Sequence, residues 1–307
     1  MIIQNPSIIS DKIIFLGKPA SIVYLVKGHD EYTLIGGGTI DIVFDLEDQL
    51  KKFSIEKEKI KRIVILHSHF DHCGIVPYLK KKWPWIKITA SERAKQIFKD
   101  VSAVAAMKFL NDILLAQYDL TEKAKQIGLE FNEIDVEETV KDKDVINCGG
   151  LTLEIIEVPG HSSCSIAAYL KEDKALFASD SGGIPIGNKI LTAANSNFDK
   201  YQQSLEKLSA YNINYFLPEH SAALTENDAT QFIQRSIQSA KETRQILEES
   251  LQNTKDIKST AGQISDKIME EIFNEGYAHI TRDVVYMVVE MMLNNLAKKL
   301  RNKVATA

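Results

Sequence analysis

The stretch that decides the fold runs Ile63-Val64-Ile65-Leu66, then His67-Ser68-His69-Phe70-Asp71-His72-Cys73-Gly74. Four aliphatic side chains in a row, three of them β-branched, predict a buried strand. Three histidines and an aspartate then fall within six positions, where that strand gives way to a loop. Strand ends are where α/β folds place their working groups. Along an extended stretch, residues i and i+2 point to the same side, so His67 and His69 can reach one ion. Asp71 and His72 follow as the chain turns, placed to serve a second ion close by. Imidazole suits zinc, iron and similar first-row metals, and carboxylate suits harder ions. A His/Asp set without thiolate predicts a catalytic site with open positions rather than a closed structural one. Cys73, Cys148 and Cys164 lack the close pairing of structural zinc sites.

The same arrangement recurs along the chain. Three of the seven histidines lie in the opening cluster. His161 follows an apolar run (Leu153, Ile155, Ile156) and Val158-Pro159-Gly160. His220 follows Phe216-Leu217-Pro218-Glu219. Asp180 follows Ala175-Leu176-Phe177-Ala178-Ser179, with Gly182-Gly183 behind it. Each stands at the end of a strand-like segment. His29 sits in a Gly-His-Asp-Glu turn and reads as solvated. His279 falls in a helical tail, either away from the site or facing a substrate pocket.

In the order His67, His69, Asp71, His72, His161, Asp180, His220, the chain resembles the metallo-β-lactamase superfamily. Its members carry His-x-His-x-Asp-His, a distant Gly-His, an aspartate and a last histidine. The resemblance covers residues 10 to 225. It implies an α/β fold, the αββα sandwich, with a helical C-terminal extension. Residues 1–227 would be the catalytic domain and residues 228–307 the extension, acting as lid or dimerisation element. It also implies two divalent metal ions: zinc or iron, with manganese equally compatible with the donors. His67, His69 and His161 would hold one, Asp71, His72 and His220 the other, with Asp180 bridging. Asp71 and Asp180 are then the catalytic candidates, able to ligate, orient or take up a proton. A narrower likeness, in His69–Leu79, Ala90–Arg93 and the helical insert near Leu110-Asn111, is to the quinolone-signal response branch. Those are thioesterases with a di-iron centre and a helical C-terminal extension.

Two departures stand out. Many members read Gly-His-Thr-x-Gly-His at the third motif; here Ser165 replaces the second histidine. Many also carry an aspartate at the glycine of the second strand, where this chain has Leu34-Ile35-Gly36-Gly37-Gly38. The glycine run reads as a tight turn rather than a phosphate cradle, and no Gly-Lys-Ser/Thr follows it.

Composition narrows the function. With 307 residues, 44% hydrophobic and 26% charged, the chain suits one sizeable domain with an extension. A net charge of −5 disfavours a nucleic-acid enzyme, and Lys80-Lys81-Lys82 reads as a solvated helix end. No signal peptide or membrane-length apolar run is visible, and unpaired cysteines suit a reducing interior. The cytoplasm is the expected compartment.

Strands are expected near residues 13–16, 21–26, 32–35, 63–66, 86–89, 145–146, 151–158, 166–170, 175–178 and 215–217. Gly149-Gly150 suits a hairpin turn. Helices are expected at 46–58, 75–82, 91–127 and 199–210, and then at 228–251, 259–274 and 281–302. The last helix, with Val284, Val285, Met287, Val288, Val289, Met291, Met292 and Leu293, is apolar over much of its surface and must be buried.

The resemblance implies a hydrolase whose bridging hydroxide attacks an acyl carbonyl, most simply a small-molecule thioester or ester. The extension would select the acyl group or join a homodimer or protein partner, with no nucleic acid or membrane involved. The alternatives are a metal-containing signalling protein, a flavodiiron-type oxidoreductase and a phosphodiesterase.

Overall fold

A computed structural model of the chain describes residues 1–253, 256–274 and 281–305. Two seven-stranded sheets stack face to face, with helices on both outer sides. The first sheet runs Ser7–Ile8, Ile13–Lys18, Ser21–Lys27, Tyr32–Ile35, Ile60–Val64, Lys87–Ser91, Glu138–Val140. Its first four strands pair antiparallel, as the turns predict, and the rest join in parallel. The second runs Ile2–Ile3, Ala223–Thr225, Tyr215–Phe216, Ala175–Phe177, Ile166–Leu170, Thr152–Glu157, Val145–Asn147. Only its Ala175–Phe177 and Tyr215–Phe216 pair is parallel.

The layering explains why the strands read as continuous apolar runs rather than alternating ones. Ile13, Phe15, Ile22 and Tyr24 face the second sheet, packing with Ile155, Ile166 and Phe177. Their neighbours Ile14, Leu16, Val23 and Leu25 face the helices on the other side. Those helices are α1 (Val43–Lys52), α2 (Val76–Lys82), α3 (Glu92–Phe98), α4 (Val101–Gln117) and α5 (Thr121–Ile127). The second sheet is covered by α6 (Phe198–Leu208), α7 (Glu226–Thr230), α8 (Phe232–Asn253), α9 (Ile257–Asn274) and α10 (Arg282–Ala305).

Local chemistry corrects some boundaries. The helix expected over 91–127 is three helices. Ser91 caps α3, its hydroxyl accepting from the Ala94 amide at 3.2 Å, and Asp100 caps α4 by accepting from Ala103 at 2.8 Å. Asp119, at φ 55°, separates α4 from α5. The helix expected over 46–58 spans Val43–Lys52 and ends before Ser54, which turns at φ 52°. Gly149 and Gly150 have φ 64° and 89° and make the expected hairpin between Val145–Asn147 and Thr152–Glu157.

The helices after residue 228 share one apolar cluster with the second sheet. Phe232 stacks on Phe216, ring centroids 4.2 Å apart. On α10, Val285, Val289, Met292, Leu293 and Leu296 are buried, but Val284 and Met287 are exposed. Burial of that helix is therefore one-sided rather than all round. Its polar residues reach back: Lys299 pairs with Asp199, as does Arg244 of α8, and the Asn295 amide donates to the Asn195 carbonyl. Among the described residues no helix is long and apolar enough to cross a membrane. His279 lies outside the described residues.

Candidate metal centre

All the candidate ligands gather at one end of the sandwich, each just past a strand. The strand Ile60–Val64 is central in its sheet, and Ile63, Val64, Ile65 and Leu66 are wholly buried. Past it, the Ile65 amide donates to the Thr89 carbonyl and the Leu66 carbonyl accepts from Ile166 of the other sheet, both at 2.9 Å. The chain is thus held until His67 and His69, then turns in a short 3₁₀ helix, Phe70–His72, that carries Asp71. His161 follows Gly160, at φ 136°, where a Cβ would lie 2.2 Å from the Tyr201 nitrogen of α6. Asp180 lies in the 3₁₀ turn Ser179–Gly182. His220 follows the strand Tyr215–Phe216.

Two donor clusters result. In the first, His69 Nδ1 lies 3.1 Å from His67 Nε2 and 3.0 Å from His161 Nε2. In the second, His72 Nε2 and His220 Nε2 are 3.0 Å apart, and Asp71 Oδ2 is 3.5 Å from each. Asp180 stands between the clusters. Its Oδ2 is 3.3 Å from His161 Nε2 and 3.4 Å from His72 Nε2, and its Oδ1 is 3.7 Å from His220 Nε2.

The outward sides of the rings fix their protons. His161 Nδ1 donates to the Ala193 carbonyl at 2.8 Å and His220 Nδ1 to the Ala20 carbonyl at 2.9 Å. A carbonyl only accepts, so both nitrogens carry hydrogen, and in the neutral rings each Nε2 faces inward as a bare lone pair. Bare nitrogens about 3 Å from other imidazole nitrogens repel unless a cation lies among them. An ion held tetrahedrally at about 2.0–2.1 Å sets neighbouring nitrogens about 3.3 Å apart. Asp180 Oδ1 is also buried without a hydrogen bond. The residues therefore fit divalent ions in both positions, and three groups meet the geometry: His67/His69/His161, Asp71/His72/His220, and His67/His72/Glu219.

Charge is divided between the clusters. Burial lowers His67 and His161 below the usual histidine range and brings His69 down to about 4. Burial would also lower His72 and His220, but the carboxylates of Asp71 and Asp180 hold both above it. Burial alone would raise Asp71 and Asp180; the charge on His72 holds both well below the carboxylate range. Asp71 and His220 retain some exposure, with side chains 28% and 16% accessible, against none for His72. Solvent reaches the centre from that side.

Other candidates resolve simply. His29 is exposed. The Gly36 amide donates to Val64 and the Gly37 amide to His72, both at 2.8 Å, so the glycine run is a packed turn and not an anion cradle. Lys80 pairs with Glu137 and Lys82 with Glu47. Ser165, in place of a second histidine, shares a 2.7 Å hydrogen bond with Ser162. Two residues escaped the sequence reading. Glu219, 1% exposed, lies 3.0 Å from His72 Nδ1, and Ser179 is 3.2 Å from His67 Nδ1. The available signal was a carboxylate in an otherwise apolar strand end, next to His220.

Residues 17–220 match the family model of the metallo-beta-lactamase superfamily, and the chain belongs to that superfamily. A probable metallo-hydrolase of Bacillus subtilis is 27% identical over 218 residues, 66% of this chain and 68% of that protein. A hydroxyacylglutathione hydrolase of Rhodopseudomonas palustris is 29% identical over 129 residues, 41% of this chain and 36% of the relative. An atrochrysone carboxyl ACP thioesterase of Aspergillus fumigatus is 23% identical over 222 residues, 71% and 57% of the two chains. The chain thus spans from about a third to two thirds of these relatives. A solved metallo-beta-lactamase family protein of Thermus thermophilus shares the fold over 97% of this chain and 93% of its own, with TM-score 0.63 and 15% identity.

Proposed function

We propose that the protein is a binuclear metal-dependent hydrolase that cleaves an acyl thioester or related ester. The observation that carries the metal half is the pair of converging imidazole clusters joined by Asp180. The thioester half draws on the names of two relatives, one an acyl-glutathione hydrolase and one an acyl-carrier thioesterase. Zinc, iron or manganese bound there would supply Lewis acidity and an activated water at neutral pH.

The chain's own residues would do the rest. His67, His69 and His161 hold one position; Asp71, His72 and His220 hold the other; Asp180 spans both. Ala193 and Ala20, through their carbonyls, keep His161 and His220 in the tautomer that presents Nε2. Asp71, on the open side, would ligate the second position and orient what binds there. The acyl group would lie toward the helical extension. There a cavity of about 580 Å³ opens between the hairpin Ile184–Leu191 and helices α8 to α10, lined by Leu191, Ile246, Leu247, Ile264, Ile268 and Met292. Thr192 also lines it, one residue from the carbonyl that holds His161.

The test is thiol release from a panel of acyl-thioesters by protein loaded with zinc, iron or manganese. Metal-dependent release that disappears in His69→Ala supports the reading. Cleavage of phosphodiesters with no acyl ester or thioester turned over refutes it.

A further inference from the structure

Behind the centre, on the side away from solvent, one carboxylate touches both halves. Glu219 Oε2 lies 3.0 Å from His72 Nδ1 and accepts a hydrogen bond from the Ser179 hydroxyl. That hydroxyl lies 3.2 Å from His67 Nδ1. Since Ser179 gives its hydrogen to Glu219, its oxygen is free to accept one from His67. His72 belongs to the second cluster and His67 to the first, so one buried carboxylate reaches a ligand of each: His72 by a 3.0 Å charge contact that is not a hydrogen bond, and His67 through the Ser179 hydroxyl.

Its placement is tightly built. The Glu219 carbonyl accepts from the Ile22 amide at 2.8 Å, and the Pro218 carbonyl accepts from the Tyr24 hydroxyl at 2.7 Å. The side chain is 2% exposed, and Oε1 has no hydrogen-bond partner. Oε1 fills the space above Gly36: a Cβ there would lie 2.1 Å away. The strand end that lacks an aspartate is thus glycine at the point where a carboxylate arrives from residue 219.

We propose that Glu219 is a positioning residue for both metal positions, acting on His72 through its charge and on His67 through Ser179, from the space that the bare Gly36 leaves open. The proposal rests on the metal-binding half of the proposed function and not on the thioester. Carboxylates behind metal-bound histidines fix the tautomer and raise ligand basicity, and losing one costs 10–100-fold in metal affinity.

The test is calorimetric titration of the metal-free full chain with zinc, with His69→Ala and His220→Ala identifying the two binding steps. Glu219→Gln keeps the shape and should weaken both steps, each about 10–100-fold. Ser179→Ala cuts only the arm to His67 and should weaken only the step that His69→Ala abolishes. A merely structural role would not give that selectivity. Wild-type affinities in Glu219→Gln, or equal weakening of both steps in Ser179→Ala, would each overturn the proposal. A wild type that binds zinc but cleaves no thioester sinks the substrate assignment and leaves Glu219 standing; one that binds no divalent ion sinks both.

Discussion

Asp180→Asn is the most informative single change, because one carboxylate stands within 3.3–3.7 Å of three imidazole nitrogens from the two clusters. The substitution keeps the shape and removes the charge. If Asp180 spans the two positions, both must weaken together. Losing a carboxylate behind a ligand costs 10–100-fold in affinity, so losing one that is itself a ligand should cost at least about 100-fold. At free metal one hundred times the wild-type dissociation constant, each filled position adds about 2.7 kcal/mol to stability. A position weakened about 100-fold adds only about 0.4 kcal/mol at the same metal concentration. The joint contribution then falls from about 5.4 to about 0.8 kcal/mol. At about 2 °C per kcal/mol for a chain of this length, the metal-induced rise in melting temperature shrinks from about 11 °C to about 2 °C. The assay is thermal unfolding with chelator and with a fixed metal buffer. Comparing the rise, rather than the absolute melting temperature, removes any effect of the substitution on the metal-free fold. A variant keeping the wild-type rise, or losing one ion and retaining the other at full affinity, would show that the carboxylate is not shared.

Acid should empty the centre in order. His69 sits near 4 in the folded protein, so it takes up no proton until well below the usual histidine range, whereas His72 and His220 are raised and bind protons first. Metal retained after dialysis at falling pH should drop by one equivalent before the other, the position of His72 and His220 going first; simultaneous loss refutes this. By the same sign, metal-free protein gains stability as pH rises from about 4 toward the ordinary histidine value, since the unfolded chain takes up a proton that buried His69 does not. Phe232→Ala removes the ring stacked on Phe216 and should cost about 3–5 kcal/mol in denaturant unfolding. A cost under about 1 kcal/mol would mean that the extension is not packed as described. Ile246→Trp, at a half-exposed position lining the cavity of α8 to α10, should lower kcat/KM for long acyl thioesters about tenfold and spare acetyl ones. Equal effects on both would place the acyl group elsewhere.

The layered fold was legible because both sheets are buried on both faces, so Ile13–Leu16 and Ile63–Leu66 announce strands through composition alone. The seven candidate ligands stood out for a related reason: each interrupts or ends such a run, where an imidazole or carboxylate is conspicuous. Which rings would meet was not readable from spacing beyond His67 and His69; the order of the motifs supplied it. Glu219 and Ser179 were missed because their significance lies in what they touch across the sheets, 40 positions apart along the chain. The break at Asp100 depended on one side chain choosing a capping bond over a continuing helix. The exposed side of α10 escaped because Val284 and Met287 are as apolar as their buried neighbours.

The way the second sheet closes bears on when the protein can acquire its metal during synthesis. Ile2–Ile3 pairs with Ala223–Thr225, which is made after His220. His72 and His220, whose nitrogens meet at 3.0 Å, lie 148 residues apart in the chain. At a synthesis rate of about 5–20 residues per second, the ribosome takes about 7–30 s to bridge that gap. Until the chain is made that far, His67, His69, Asp71 and His72 lack His161, Asp180 and His220, so an ion taken up in that interval would have fewer donors than the folded centre offers. If the centre fills during synthesis, which ion it holds depends on translation rate and supply as well as on geometry. Protein made rapidly and protein made slowly in one growth medium need not carry the same ions.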